Sequence, residues 1–351
     1  MRIAQLVPTL LMGDAVGNNC LAIDRILREA GYDASLYAEN IDARLPEGAA
    51  AHLSTMGRLG DNDILLYQQV TTFDHDIRSF GGQRVFQYHN VTPPTFYSDY
   101  DRKVAESCAK SLEQMRTLRD LPGLCWVDSD FNRRDLIDAG YACSIHTIPI
   151  LVPFSDYDQP ADAQIMERYD DDYVNFIFVG RVVPNKAHED VIRTFAWYQR
   201  NINAKCRLFL VGNADFQPYV GRLMRYIRKL GVENVIFPGH ISFSAVLAYY
   251  RVADIFLCMS RHEGFCVPLL EAMHFHIPVL ALAATAVPST LGGAGVLLED
   301  NNPIAAALIV DRVVRDETLR KRIVAGQDER LEYFSMENIK RMILDDIRML
   351  S

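Results

Sequence analysis

No stretch of these 351 residues approaches the ~20 consecutive apolar side chains that a membrane-spanning helix needs. Paired cysteines are missing too. Cys20, Cys108, Cys125, Cys143, Cys206, Cys258 and Cys266 stand singly, are odd in number and contain no C-x-x-C. Most lie in apolar segments, which predicts buried free thiols in a reducing compartment. There is no excess of basic charge: the formal net charge is -9, and a nucleic-acid partner has no electrostatic support. The opening MRIAQLVPTLLMGDAV has Gln5 and Pro8 inside its apolar stretch, so it reads as a first β-strand and not as a signal peptide. A cytoplasmic protein is the expectation. No internal repeat or low-complexity segment is evident.

What is present is a balanced globular composition, 49% hydrophobic and 23% charged. The length exceeds one ordinary core and suits two domains of ~150 to 200 residues. Short apolar runs alternate with amphipathic stretches, the mark of parallel β/α units. Strands are predicted at 3–7, 35–38, 63–67, 84–88, 124–127 and 145–148, with helices at 18–30, 101–118 and 132–139. Residues 149–172, with three prolines and six aspartates, interrupt the rhythm. The alternation resumes at Tyr173, with strands at 174–179, 207–211, 235–237, 255–259, 278–282 and 295–297 and a helix at 189–200. Ile339, Met342, Ile343, Ile347 and Leu350 recur at helical spacing near the end of the chain. The expected division is an N-terminal Rossmann-like domain over 1–150, a linker over 151–172, a second α/β domain over 173–335, and a helix over 336–351 that packs back on the first domain.

The densest motif is Arg261-His-Glu-Gly-Phe-Cys-Val-Pro-Leu-Leu-Glu271. It follows a strand and opens a helix. Gly264 suits a sharp turn or the close approach of a ligand. The amides of Phe265, Cys266 and Val267 sit at a helix N-terminus, where the dipole and unsatisfied N–H groups favour an anion. Glu263 and Glu271 are placed to face different parts of one ligand, although an ordinary strand–turn–helix with two solvated glutamates has the same spacing. A second motif, FIFVGRVVPNKAHEDVIRTF, ends a buried strand and puts Arg181 and Lys186 in the following loop. Two permanent cations there suit a diphosphate. Two surface cations would read the same way.

In combination these segments, with VGN at 211–213, PGHIS at 238–242 and ADIFLCMS at 253–260, resemble glycosyltransferase family 4, the large group of retaining transferases that includes sucrose synthases and bacterial mannosyltransferases. The resemblance covers nearly all of 174–351 and, more loosely, the first half. It implies a GT-B fold, two Rossmann-like parallel-sheet domains facing across a cleft. It also implies roles. Arg181 and Lys186 bind the donor diphosphate, Glu263 contacts the transferred sugar and Glu271 holds the ribose. Gly212, Gly264, Phe265, Cys266 and Val267 line the donor site, and His240 and Ile241 contact the base. Cys266 stands where many members of the family have glycine. Met12-Gly-Asp-Ala-Val-Gly-Asn18 lacks the G-x-G-x-x-G of dinucleotide binders, and in the family a glycine-rich loop here closes on the donor, which makes Gly13, Asp14 and Gly17 candidates. His89, in YHNVTPP, matches the family's active-site histidine. His75 is a weaker candidate on the acceptor side.

Four D-x-D sequences, at 61–63, 74–76, 128–130 and 170–172, spell a manganese signature of a different transferase fold, but recur too often in an aspartate-rich chain to be informative. Asp128 and Asp130 are read as a strand terminator and a helix cap. His262, His274 and His276 lack the spacing of a zinc site. The expected reaction is a retaining, metal-independent and cofactor-free transfer of a hexose, with GDP-mannose as the favoured donor and UDP-hexoses as rivals. The acceptor is expected to be a glycan or lipid-linked glycan in surface-polysaccharide (O-antigen) synthesis, with peripheral contact at the inner membrane surface. A nucleotide-sugar epimerase of the same fold and a catalytically silent GT-B subunit are the alternatives.

Overall fold

A computed structural model describes residues 1–350. The chain forms two compact units, the first from Met1–Val152 with the chain from Phe334 onward, the second from Pro153–Tyr333.

The first unit holds a seven-stranded, wholly parallel sheet. Its strands are β1 (Arg2–Leu10), β2 (Asp33–Ile41), β3 (Ala51–His52), β4 (Leu59–Gln69), β5 (Gly81–Tyr88), β6 (Leu124–Val127) and β7 (Ser144–Thr147), in the order β3-β2-β1-β4-β5-β6-β7. A parallel sheet must be covered on both faces, which explains why β6 (Leu-Cys-Trp-Val) carries no exposed residue. One cover is the helix Met336–Met349. Its Ile339, Ile343, Leu344 and Ile347 join a core with Ile3, Ile64, Val85 and Trp126. Asp346 on that helix accepts the indole N–H of Trp126 at 2.8 Å and lies 2.9 Å from His146 Nδ1.

The second unit repeats the plan with six parallel strands. They are β8 (Val174–Val179), β9 (Cys206–Val211), β10 (Val235–Ile236), β11 (Ile255–Cys258), β12 (Val279–Leu282) and β13 (Val296–Leu298), in the order β10-β9-β8-β11-β12-β13. Strand order reverses at β1/β4 in the first sheet and at β8/β11 in the second. Such switch points open a crevice at the strand C-termini.

All the strands expected from alternation are present, most with shifted ends. β3 was not foreseen, since two residues carry no periodic signal. Nor were the helices Pro303–Arg315 and Glu317–Tyr333. The aspartate-rich stretch expected as a linker belongs to the second unit from Pro153 on. It contains a 3-10 turn (Phe154–Asp158) and a helix (Ala163–Tyr169) capped by Asp162, with Tyr157 and Tyr169 buried. All seven cysteines are free thiols, five of them buried. No helix among the described residues is long and apolar enough to cross a membrane.

Candidate functional site

At the β8/β11 switch point of the second unit, two turns meet. After β8 the chain makes Gly180, Arg181 and a 3-10 turn at Pro184–Lys186, before the helix His188–Asn201. After β11 it makes Arg261, His262 and Glu263 and enters the helix Val267–His274. Asn185 ties the two turns together. Its carbonyl accepts the Arg261 N–H at 2.9 Å, and its side-chain amide donates to the His262 carbonyl at 3.0 Å. This clamp sets Lys186 against Glu263, with Nζ 2.6 and 2.5 Å from the two carboxylate oxygens. The Glu263 N–H donates to Thr285 Oγ1 at 2.8 Å. Burial works against the charge on Lys186, but Glu263 beside it prevails and raises the lysine above its ordinary pKa. His262, buried next to this pair, is pushed down to about 4, mainly by burial. Arg181 is exposed at the mouth of the turn.

Gly212 has a packing reason to be glycine: a Cβ there would lie 2.2 Å from the Gly180 carbonyl oxygen, so the turns after β8 and β9 touch backbone to backbone. In the motif after β11, the left-handed residue is Cys266, at φ 75° and ψ 63°. That is the physical reason a glycine suits the position. The helix beginning at Val267 has no side-chain cap. His240 is exposed and Ile241 half-buried beyond β10.

Glu271 sits one and a half turns into that helix. Its Oε1 accepts from the Tyr157 hydroxyl at 2.7 Å and its Oε2 from the Tyr250 hydroxyl at 2.5 Å. Burial raises its pKa, and the two hydroxyls pull it back in part. Tyr250 stacks on Phe275, with ring centroids 5.0 Å apart. Neither tyrosine was singled out from sequence, because each is remote from Glu271 along the chain and no local spacing signals the contact.

Candidate metal-ligating atoms converge at one group among the described residues. Cys258, Glu263 and Cys266 have ligand atoms within 4.8 Å of one another, all buried. The Lys186 ammonium already occupies the Glu263 carboxylate, and the Cys266 thiol hydrogen-bonds Cys258. The three histidines do not converge. His274 stacks on Phe154 and His276 pairs with Asp328. Several aspartates of the D-x-D sequences have structural partners: Asp63 accepts from the Arg2 and Gly60 amides, Asp76 caps a turn and Asp172 pairs with Lys205, while Asp171, the middle residue of 170–172, pairs with Arg207.

In the first unit, His89 follows β5. Its Nδ1 lies 2.8 Å from Asp128 Oδ2 and its Nε2 2.6 Å from Gln68 Oε1, with the side chain only 1% accessible. The Gln68 amide nitrogen has no partner. Rotating that amide would let it donate to Nε2, with Nδ1–H pointing at Asp128. Any group reaching Nε2 must replace Gln68. Asp128 directly follows the end of β6, as expected of a strand terminator, but its side chain does not cap the helix that follows and is a buried partner of His89, also reached by Gln87. Ser129 caps the helix Asp130–Asp138, and Asp130 is its first residue. Serine at the cap leaves the aspartate side chain free to turn inward.

Gly13 adopts φ 75° in an exposed turn, and Asp14 precedes the helix Ala15–Glu29 without capping it. Gly17, expected in a ligand loop, is instead buried in that helix, where a Cβ would lie 2.3 Å from the Leu11 carbonyl oxygen. Close packing explains it. His75 makes an exposed pair with Glu39.

Residues 160–330 match the family described as glycosyl transferases group 1. The O-antigen chain mannosyltransferase B of Escherichia coli is 23% identical over 292 residues, 81% of this chain and 71% of that protein. An uncharacterized glycosyltransferase of Methanocaldococcus jannaschii is 31% identical over 182 residues, 49% of this chain and 44% of that protein, so the chain spans less than half of its length. Among solved structures, Anabaena HepE in complex with UDP-glucose superposes with a TM-score of 0.76 at 17% identity, over 99% of this chain and 100% of that one. The chain therefore has the GT-B fold and is a glycosyltransferase, with its residues 160–330 matching the glycosyl transferases group 1 family.

Proposed function

We propose that this protein is a retaining hexosyltransferase that uses a nucleotide diphosphate sugar and extends a surface polysaccharide. The observation that carries the reading is the Lys186–Glu263 pair at the β8/β11 switch point, with Arg181 exposed beside it. A diphosphate arriving at Arg181 and Lys186 would take over the lysine's charge and leave the Glu263 carboxylate to the sugar. Val267 and its neighbours at the helix start add N–H groups for the phosphates. Glu271, already oriented by Tyr157 and Tyr250, retains lone pairs for ribose hydroxyls. Gly212, His240 and Ile241 line the remaining donor contacts of the proposal. On the first unit it assigns Gly13, Asp14 and His89.

In the proposed reaction the acceptor hydroxyl attacks the anomeric carbon on the face that the diphosphate leaves. A bond forms from that oxygen to the carbon, the bond to the phosphate oxygen breaks, and the hydroxyl proton passes to the departing phosphate. The protein supplies orientation and stabilisation of the growing negative charge, through Arg181, Lys186 and helix N–H groups. No metal is needed when cations of the chain hold the leaving group. A mannosyl donor, GDP-mannose, is favoured by the E. coli relative's description as an O-antigen chain mannosyltransferase. The UDP-glucose in the Anabaena structure keeps UDP-hexoses as the second choice. A glycan or lipid-linked glycan acceptor places the work on the cytoplasmic side of the inner membrane.

Thermal shift against a panel of nucleotide sugars tests the donor. A ligand at 100 times its dissociation constant adds about 2.7 kcal/mol, so the true donor stands out. Transfer to a polysaccharide primer in excess EDTA, with the anomeric configuration of product read by NMR, tests the rest. Inversion, or strict dependence on manganese, overturns the mechanism.

A further inference from the structure

On the second unit, a pocket of about 430 Å³ is lined by Arg193, Arg222, Arg225, Lys229 and Arg261, with Glu189, Asp190, Leu223 and Tyr226. Five cations face two carboxylates in a chain whose net charge is -9. The patch is thus not a by-product of general basicity. Both acids are committed to the protein itself. Glu189 accepts the Tyr219 hydroxyl, while Asp190, 2% exposed, is held by Arg193 at 3.0 Å, Arg261 at 2.6 Å and the Asn301 amide at 3.0 Å.

Arg222, Arg225 and Lys229 recur at spacings of three and four on the helix Gln217–Leu230, so they share one face, and all three are exposed. Among the described residues no ion pair joins Arg225 or Lys229 to a carboxylate. Like charges at these spacings repel and destabilise a helix. An anion in the pocket would relieve that repulsion. The three cations on this helix face carry more positive charge than one phosphate balances, which suits two linked phosphates better than one. The pocket is recessed, with Leu223 buried and Tyr226 partly buried in its lining. A concave site of this size fits a discrete ligand, not the flat surface of a bilayer.

We propose that this pocket is a second anion site, adjoining the turn of Lys186 and Glu263 through Arg261 but lined by neither of those two side chains, that binds the diphosphate group of a soluble or lipid-linked ligand. It stands without the proposed function, since it uses none of the residues assigned to the donor.

The test titrates inorganic pyrophosphate into the full chain by calorimetry, with and without saturating GDP or UDP, and repeats it with Arg225→Gln/Lys229→Gln. Both positions are exposed, and melting curves confirm that the variant is folded. Pyrophosphate should still bind when a nucleoside diphosphate is present, and at least tenfold more weakly in the double variant, whose nucleotide binding is unchanged. A third arm adds vesicles of phosphatidylcholine with phosphatidylglycerol, and a short polyprenyl diphosphate in detergent. Pyrophosphate competing with the polyprenyl diphosphate identifies a lipid-linked ligand; pyrophosphate binding without such competition identifies a soluble one. Equal pyrophosphate binding in wild type and variant, no binding at all, or vesicle binding through Arg225 and Lys229 that pyrophosphate does not compete for, overturns the proposal. Failure of GDP and UDP to bind counts against the proposed donor site alone.

Discussion

Lys186 and Glu263 are 77 residues apart in sequence, yet the lysine Nζ touches both oxygens of the glutamate at 2.6 and 2.5 Å. The Glu263 side chain is 6% accessible and that of Lys186 18%. A charge so enclosed depends on its partner. Removing one member of a buried pair typically costs about 3–5 kcal/mol, whereas removing both can be nearly neutral. Lys186→Met and Glu263→Gln should each lower the urea midpoint more than the double variant does. Additive losses in the double variant would show the pair to be uncoupled.

The same residues separate binding from chemistry. Arg181→Ala and Lys186→Ala should each reduce sugar transfer by ~100-fold or more, as loss of one charge stabiliser commonly does. Glu263→Gln should lower kcat more than donor affinity. Tyr157→Phe, which removes one of the hydroxyls orienting Glu271, should raise the donor KM with little effect on kcat. Steady-state kinetics at varied donor check all four, and wild-type kinetics for Arg181→Ala and Lys186→Ala removes the diphosphate assignment.

His188 is fully buried, has no hydrogen-bond partner on either ring nitrogen, and packs between Phe178 and Tyr219. Burial, aided by Lys186, holds its pKa down to about 3. The unfolded chain, with a histidine near its ordinary value of about 6.5, therefore binds more protons between those limits, and stability falls as pH drops below about 6.5. His262, held at about 4, adds to the effect. Each such histidine contributes a slope of about 1.4 kcal/mol per pH unit. Unfolding free energies at pH 7, 6 and 5 should show this decline, and His188→Leu should lessen it by about one proton. An unchanged slope would mean that His188 is already charged in the folded protein.

Cys266 holds a left-handed backbone, which costs a non-glycine residue roughly 1–2 kcal/mol. Cys266→Gly should therefore melt at or above the wild-type temperature, whereas Cys266→Val, β-branched at φ 75°, should melt well below it. A glycine variant that melts well below wild type would instead place the value of the residue in its thiol contact with Cys258.

Asp346 joins the last helix to the first sheet through Trp126 and His146. Asp346→Ala leaves a buried indole N–H unsatisfied, worth about 1–3 kcal/mol. Asp346→Asn, which keeps an acceptor for the indole, should recover most of that loss in a denaturant titration. Equal destabilisation by Ala and Asn would shift the weight to the charge and to His146.

How far the chain could be read from its residues follows from the range of the forces involved. Strand positions were legible because a strand buried on both faces must be a short apolar run, as in Phe176-Ile-Phe178 or Ile255–Cys258. The turn residues Arg181, Lys186, Glu263 and Glu271 stood out only through the family resemblance, since their spacing alone equally suits surface cations and solvated glutamates. Contacts between distant segments were not. Nothing local in Tyr157 or Tyr250 shows that both clasp Glu271, and nothing in Asp128 shows that it faces His89 while Ser129 caps the helix. Gly17 and Gly212 announced themselves as glycines, but only the packing of Leu11 and Gly180 against them tells why. The sequence by itself determined which segments become strands, and which side chains stand at their ends, because burial and backbone preference act within a few residues. Tertiary structure alone decided which of those side chains meet, because a buried charge or hydroxyl takes its partner from whatever segment the folded sheet brings beside it.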